Sequence, residues 1–311
     1  MSRPELIVIT GPTATGKTGL GVRLAKLIDG EIVSADSMQI YKHMNIGTAK
    51  PAADEMLGVP HHMLDVVPPW EDYSVARYVE DASECIDDIY RRNRQPILVG
   101  GTGLYIDSLL AGRGFSAKGS AGLRKTLEAQ YDSLGGEAML QQLFELDPVS
   151  AAKLHVNDKK RIIRALEICI TTGKTISQHD SDSKSLPPRY NAVKFALMFS
   201  DRAALYMRID SRVDVMMLKG LEGEVRSLLE TGVPPDCTAM QAIGYKELLS
   251  AFSGSFSIDD AVEKIKMESR RFAKRQLTWL RRDHEVRWIT WENAPDLDRG
   301  VEEIVKHYTG Q

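Results

Sequence analysis

The chain has no apolar run approaching the roughly 18 residues that a membrane-spanning helix needs, and only three cysteines in 311 residues. It also lacks any large excess of one charge. Each absence excludes something. Cys85, Cys169 and Cys237 are odd in number, widely spaced, and without a C-x-x-C pair or a histidine at zinc-ligand spacing, which argues against a disulfide framework and a zinc finger. Met1 to Thr10 carries one arginine and the short apolar run Leu6-Ile7-Val8-Ile9, too brief for the core of a signal peptide. No membrane contact is expected, and the expected compartment is the cytoplasm. Forty Lys plus Arg against 43 Asp plus Glu leave a net charge of -3, which as a total argues against a nucleic-acid partner. What is present is ordinary globular material, 43% hydrophobic and 27% charged.

Leu6 to Ile9 is a short continuous apolar run rich in β-branched residues, the pattern of a strand buried on both faces. Gly19 to Ile28 then has helical spacing, Glu31 to Ser34 reads as a second strand, Tyr73 to Arg92 as a helix, and Ile97-Leu98-Val99 as a third strand. This βαβ rhythm implies a parallel sheet with helices on its faces. From about Arg113 to Pro188 the strands stop. Leu123 to Leu134, Gly136 to Leu146, Ser150 to Leu154 and Lys159 to Thr171 carry only helical periodicity, before Val193 to Phe199 returns as a strand. Arg202 to Thr231 and Ile258 to Arg282 are long helical stretches. The expected class is α/β, a parallel-sheet core with a mostly helical insertion: core over residues 1–112 and 190–311, insertion over 113–189. Gly114 to Gly122 and Gln178 to Pro188, rich in Gly, Ser and Pro, are its expected hinges.

Gly11-Pro12-Thr13-Ala14-Thr15-Gly16-Lys17-Thr18 fits G-x-x-x-x-G-K-S/T and lies where the mechanism requires, after a buried strand and before a helix. The glycines let backbone N–H groups turn inward on an anion, Lys17 neutralises terminal phosphate oxygens, and Thr18 is placed to hold Mg²⁺. The core is therefore P-loop NTPase-like. The motif does not say which phosphate compound is bound. A kinase or ATPase would normally add an apolar strand ending in Asp. Here Ile97-Leu98-Val99 ends in Gly100-Gly101-Thr102-Gly103-Leu104-Tyr105, leaving Asp36 as the carboxylate at the C-terminal end of a strand, where ligands of parallel sheets collect. A capping Asp is the alternative.

Gly11 to Thr18, Ser34-Ala35-Asp36-Ser37-Met38-Gln39-Ile40-Tyr41, Ile46-Gly47-Thr48-Ala49-Lys50-Pro51, Pro60-His61-His62-Met63-Leu64-Asp65, Leu98 to Tyr105, Arg161 to Glu167, Ala242-Ile243-Gly244-Tyr245-Lys246-Glu247 and Lys274-Arg275-Gln276-Leu277-Thr278-Trp279 stand in this order along nearly the whole chain. Together they resemble the tRNA dimethylallyltransferases, also called tRNA isopentenyltransferases. The resemblance implies transfer of a dimethylallyl group from dimethylallyl pyrophosphate to the exocyclic amine of the adenosine immediately 3′ of the anticodon. It implies Asp36 as general base, Lys17 and the loop as a cradle for the leaving pyrophosphate with Mg²⁺, Thr102 as a contact to the target nucleotide, and Arg212 on the pyrophosphate side. For Thr102 the alternative is a helix cap, and for Arg212 a solvated helix face pairing with Arg208 or Asp210. His61 and His62, in a Pro-flanked turn, read as structural. No γ-phosphoryl moves in such a reaction, so the missing second carboxylate is explained.

The resemblance also implies that the insertion grips the tRNA anticodon stem-loop. Asp36, Ser37, Met38, Gln39, Thr102, Arg124, Lys160-Arg161-Ile162-Ile163-Arg164 and Gln241-Ala242-Ile243-Gly244-Tyr245-Lys246 match its tRNA-contacting positions, although Gly244 is equally a turn glycine. Lys159 and Lys160 stand where the family tends to have Pro and Gln, which keeps phosphate contact and removes a base-edge hydrogen bond. Independently, Lys264, Lys266, Arg270, Arg271, Lys274, Arg275, Arg281 and Arg282 face only one acid, Glu268, between positions 264 and 282. Such a one-sign helix points to RNA or phosphate rather than a solvated face. Trp279, among Phe272, Leu277 and Leu280, reads as core. The alternatives are the same transfer to free adenosine nucleotides, as in adenylate isopentenyltransferases, a P-loop kinase of a small metabolite, and a non-catalytic RNA-binding module. The chain is expected to act as a monomer.

Overall fold

A computed structural model describes residues 5–112, 121–178 and 187–309. In chain order, β1 (Glu5–Thr10), α1 (Lys17–Leu27), β2 (Gly30–Ala35), a one-turn α2 (Ala53–Met56), β3 (His61–His62), α3 (Val75–Arg91), β4 (Gln95–Gly100) and α4 (Gly103–Leu110) come first. Next are α5 (Ala121–Leu146), α6 (Pro148–Ala151) and α7 (Lys159–Thr172). The chain then continues through β5 (Asn191–Phe199), α8 (Arg202–Leu218), α9 (Leu221–Glu230), α10 (Tyr245–Phe252), α11 (Ile258–Leu280), β6 (Arg287–Trp291) and α12 (Leu297–Thr309).

The six strands form one sheet in the order β3-β2-β4-β1-β5-β6, every pair parallel. β1 lies between β4 and β5, and Leu6 to Ile9 are at most 1% exposed, which is why its sequence is apolar without alternation. Two strands escape the sequence reading. β3 is only two residues long, and β6 is an Arg-Trp-Ile-Thr-Trp edge strand with no continuous apolar run. The helical stretch from Arg202 to Thr231 consists of two helices, α8 and α9, separated at Gly220.

The chain divides into two compact units, one of Met1–Leu110 with Tyr190–Gln311, the other of Ala111–Arg189. The first has its core on the sheet, where α1 and the C-terminal strands pack through Leu20, Leu24, Phe195, Leu197 and Trp291. The second is helical and has its own core of Leu127, Met139, Leu143, Ile162, Ile163 and Leu166. Its α5 kinks at Gly135, dividing Leu123 to Leu134 from Gly136 to Leu146. The two segments read as hinges fall mostly outside the described residues.

α11 is a 23-residue helix opened by a capping box. Ser257 Oγ accepts from the Asp260 N–H at 3.1 Å, and the Asp260 carboxylate accepts from the Ser257 N–H at 3.3 Å. Asp259 and Asp260 sit in its first turn, at the positive end of the helix dipole. Ala261, Ile265, Ala273, Gln276 and Leu280 form its buried face.

Candidate active site

Three loops leave the C-terminal edges of neighbouring strands: Gly11–Gly16 after β1, Asp36–Gln39 after β2, and Gly101–Thr102 after β4. Crevices of parallel sheets open at this edge. Here it is a cavity of about 1160 Å³ lined by Thr13, Ala14, Gly16, Lys17, Thr18, Asp36, Ser37, Met38, Gln39, Thr102 and Arg212, with Gln241, Ala242, Ile243, Gly244 and Lys246 on another wall. Segments from Thr13 to Lys246 of the sequence thus meet in one space.

The phosphate loop is held from behind. Gly11 has φ of +142°, and a Cβ there would lie 2.7 Å from the Leu197 carbonyl oxygen, so only glycine fits. Thr15 Oγ1 donates to the Pro12 carbonyl at 2.8 Å. Trp291 of β6, fully buried, donates its indole N–H to the Thr15 carbonyl at 3.0 Å, and Arg208 donates to the Ala14 carbonyl at 3.1 Å. Gly16 precedes α1, and no side chain caps that helix, so its first N–H groups are available to an anion.

Lys17 Nζ donates to the carbonyls of Gly11 at 2.9 Å and Pro12 at 2.7 Å. Burial lowers its pKa to about 7, with the nearby Arg212 adding to the effect and Asp36 opposing it. Burial also lowers Arg212, while Asp36 and Glu55 oppose the shift. Two confined cations beside a row of N–H groups make a site short of negative charge, the condition under which a multivalent anion binds strongly. The solvated-face alternative for Arg212 does not hold: it lines the cavity, and Asp210 pairs instead with Arg270 at 2.5 Å.

On the opposite side, Asp36 Oδ1 accepts from the Met38 N–H at 2.9 Å, which fixes the carboxylate within its own turn. Thr102 Oγ1 accepts from the Ser37 N–H at 3.0 Å, and the Thr102 N–H donates to the Ala35 carbonyl at 3.1 Å. Thr102 therefore joins the end of β2 to the end of β4. Gln39 donates to the carbonyls of Thr48 and Ala49, both at 3.3 Å. Glu224 of α9 accepts from the N–H groups of Asn45 and Ile46 at 2.8 Å and Gly47 at 3.1 Å, and from the Tyr245 hydroxyl at 2.5 Å. It holds the cavity wall from Asn45 to Ala49.

Several residues central to this geometry escape the sequence reading. Trp291, Arg208 and Glu224 carry no local signal, since a tryptophan in a strand and charges on helices have many uses. Gln276 was legible only as part of a matching segment. It is 7% exposed; Oε1 accepts from the Thr13 N–H at 3.0 Å and Nε2 donates to the Gly101 carbonyl at 2.9 Å.

Other expectations need correction. Tyr245 is fully buried with its hydroxyl on Glu224, so its side chain supports the wall and does not reach a ligand. Ile162 and Ile163 are at most 3% exposed in the core of the helical unit, so they hold α7 in place and offer no side chain to RNA. In that unit, Arg124 and Arg164 both donate to the buried Glu167 carboxylate, at 2.7 and 2.8 Å. The one-sign character of α11 is partly cancelled from α8: Lys266 pairs with Asp214 at 2.8 Å and Arg270 with Asp210. Arg271, which pairs with Glu268 at 2.6 Å, lines an open groove with Lys274, Arg275, Arg282, Thr278 and Trp279. Trp279 is half-buried, its indole N–H donating to Asp107 at 2.8 Å. His62 pairs with the buried Glu31 at 2.7 Å, a structural use, while His61 Nδ1 bonds the Val59 carbonyl at 2.8 Å and the residue lines the cavity.

Residues 39–283 match the IPP transferase family model, and residues 4–67 the isopentenyl transferase family model. The tRNA dimethylallyltransferase of Desulforudis audaxviator is 47% identical over 302 residues, 97% of each chain. Among solved structures, the full-length tRNA isopentenylpyrophosphate transferase of Bacillus halodurans is 40% identical with a TM-score of 0.75, covering 99% of this chain and 96% of that one. A eukaryotic dimethylallyltransferase, captured acting on tRNA, is 28% identical with a TM-score of 0.84, covering 99% of this chain and 80% of that one.

Proposed function

The chain belongs to the IPP transferase family, that of the tRNA dimethylallyltransferases, and from that membership we propose that its cavity takes dimethylallyl pyrophosphate and the adenosine immediately 3′ of a tRNA anticodon. The observation that carries this reading is the convergence of Lys17, Asp36, Thr102 and Arg212, from four separate segments, on one cavity. The adenosine N6 lone pair attacks C1 of the allyl group. The C1–O bond breaks, its electron pair leaves with pyrophosphate, and the N6 proton passes to the Asp36 carboxylate.

Positive charge grows on carbon while a dense anion departs, so the largest contribution comes from groups already placed around the anion. Those are Lys17, Arg212 and the N–H groups at the start of α1. An arriving pyrophosphate supplies the negative charge that Lys17 otherwise lacks and draws it from the Gly11 and Pro12 carbonyls. Asp36 orients a weakly nucleophilic amine and accepts its proton. Thr102, whose hydroxyl hydrogen otherwise rests on Ser37 Oγ at a long 3.4 Å, has a donor to offer the nucleotide.

Magnesium suits this site. The Thr18 hydroxyl is a hard oxygen donor on the cavity wall, and Mg²⁺ typically takes one or two protein oxygens with phosphate oxygens and water. When bound it adds positive charge to the leaving group. A target base inside a tRNA loop must be splayed out to reach Asp36. The phosphate contacts that hold the loop are assigned to Arg124, Lys160, Arg161 and Arg164 of the helical unit and to the exposed cations of α11. One chain supplies every group the chemistry uses, so a monomer suffices, acting in the cytoplasm where tRNA is used.

The test is a single assay with four arms. Purified protein, unmodified tRNA, dimethylallyl pyrophosphate and Mg²⁺ are expected to yield prenylated adenosine by mass spectrometry. Replacing tRNA by AMP, or the prenyl donor by ATP, is expected to give nothing. Asp36→Asn is expected to lose roughly 10²- to 10⁴-fold in rate with tRNA binding kept. Folded protein that yields no product overturns the reading, and product on AMP moves it to free nucleotides.

A further inference from the structure

Gln276 is the one side chain of α11 that reaches both the phosphate loop and the loop after β4. Its partners demand opposite chemistry. The Thr13 N–H can only donate and the Gly101 carbonyl can only accept, so an amide of this length satisfies both where an acid or an apolar side chain of similar size does not. These partners also fix which end of the amide is oxygen. The fit is close: a Cβ at Gly101 would lie 2.2 Å from Gln276 Nε2, so the amide packs directly on backbone.

What the amide joins matters more than the bonds themselves. Thr13 belongs to the loop that cradles the leaving group. Gly101 precedes Thr102, which holds the Ser37 N–H and the Ala35 carbonyl on either side of Asp36. One side chain thus ties the donor side of the cavity to the acceptor side. The reaction forms no bond to the protein, so its rate depends on the separation and alignment of the allyl carbon and the amine, and a shift of about 1 Å in such a pair costs on the order of 100-fold.

We propose that Gln276 is a positioning residue for prenyl transfer, holding the phosphate loop and the Gly101–Thr102 segment at the separation at which donor carbon and acceptor amine react. This rests on the prenyl-transfer reading above. Gln276→Met removes both hydrogen bonds without adding charge, and Gln276→Glu keeps the acceptor for Thr13 while losing the donor to Gly101. Steady-state kcat, the KM of each substrate and the thermal midpoint are measured beside the wild type. The expected result is a kcat loss of roughly 10- to 100-fold, with both KM values for Gln276→Met within about 3-fold and its midpoint within a few degrees. A lowered midpoint or raised KM with kcat intact assigns Gln276 to packing or binding and overturns the proposal, as does wild-type behaviour of both variants. If Gln276→Met fails to fold, unchanged kcat in Gln276→Glu overturns it alone. A wild type that transfers no prenyl group while folded fails the underlying reading instead, and the proposal falls with it.

Discussion

Lys17 faces opposite electrical demands before and after an anion arrives. In the free protein burial holds its pKa near 7 against an ordinary 10.5. Folding therefore penalises the charged form: the penalty is complete below about pH 7 and fades as the pH rises from 7 toward 10.5. Lys17→Met is expected to raise the Tm of the ligand-free protein at pH 6 by about 2 °C and by less at pH 9, as read by scanning calorimetry. A pH-independent difference would trace the effect to packing. Lys17 and its loop were legible because an eight-residue motif carries its own geometry. Trp291 and Gln276 were not, since each meets the loop across more than 260 positions of sequence.

The helix α11 shows how charge read along one element misleads. Eight cations against one acid look like an undivided basic face, yet Asp210 and Asp214 of α8 occupy Lys266 and Arg270, and Lys264 lies over the Phe256 ring. The exposed cations concentrate toward the C-terminal half, around the Lys274, Arg275 and Arg282 groove. The double substitution Lys274→Ala with Arg282→Ala is expected to weaken tRNA binding and flatten its salt dependence by about 1.5 in log–log slope. Lys266→Ala with Arg270→Ala is expected to change that slope far less. Equal effects in binding titrations across a salt series would contradict the division. Periodicity established the helix; only the neighbouring element decided which of its charges were available.

At the scale of the molecule, a net charge of -3 averages unlike surfaces, and among the described residues each of the two compact units has buried hydrophobic residues of its own. Leu143 is fully buried in the helical unit. Leu143→Ala is expected to cost that unit about 2–5 kcal/mol and to lower tRNA affinity, while pyrophosphate binding in the sheet unit stays within about 2-fold, by titration calorimetry. Loss of both would separate the helical unit from any selective role in RNA binding. The sequence by itself determined the class of fold, the strand-loop-helix of the phosphate site and the family, because each is written in local spacing or in ordered motifs. The meeting of Asp36, Thr102 and Arg212 with that loop, the edge strand β6 that braces it and the amide bridge of Gln276 were decided by the tertiary structure. Such contacts join segments whose separate sequences are indifferent to one another, and only the parallel order β2-β4-β1-β5-β6 brings their ends to one edge.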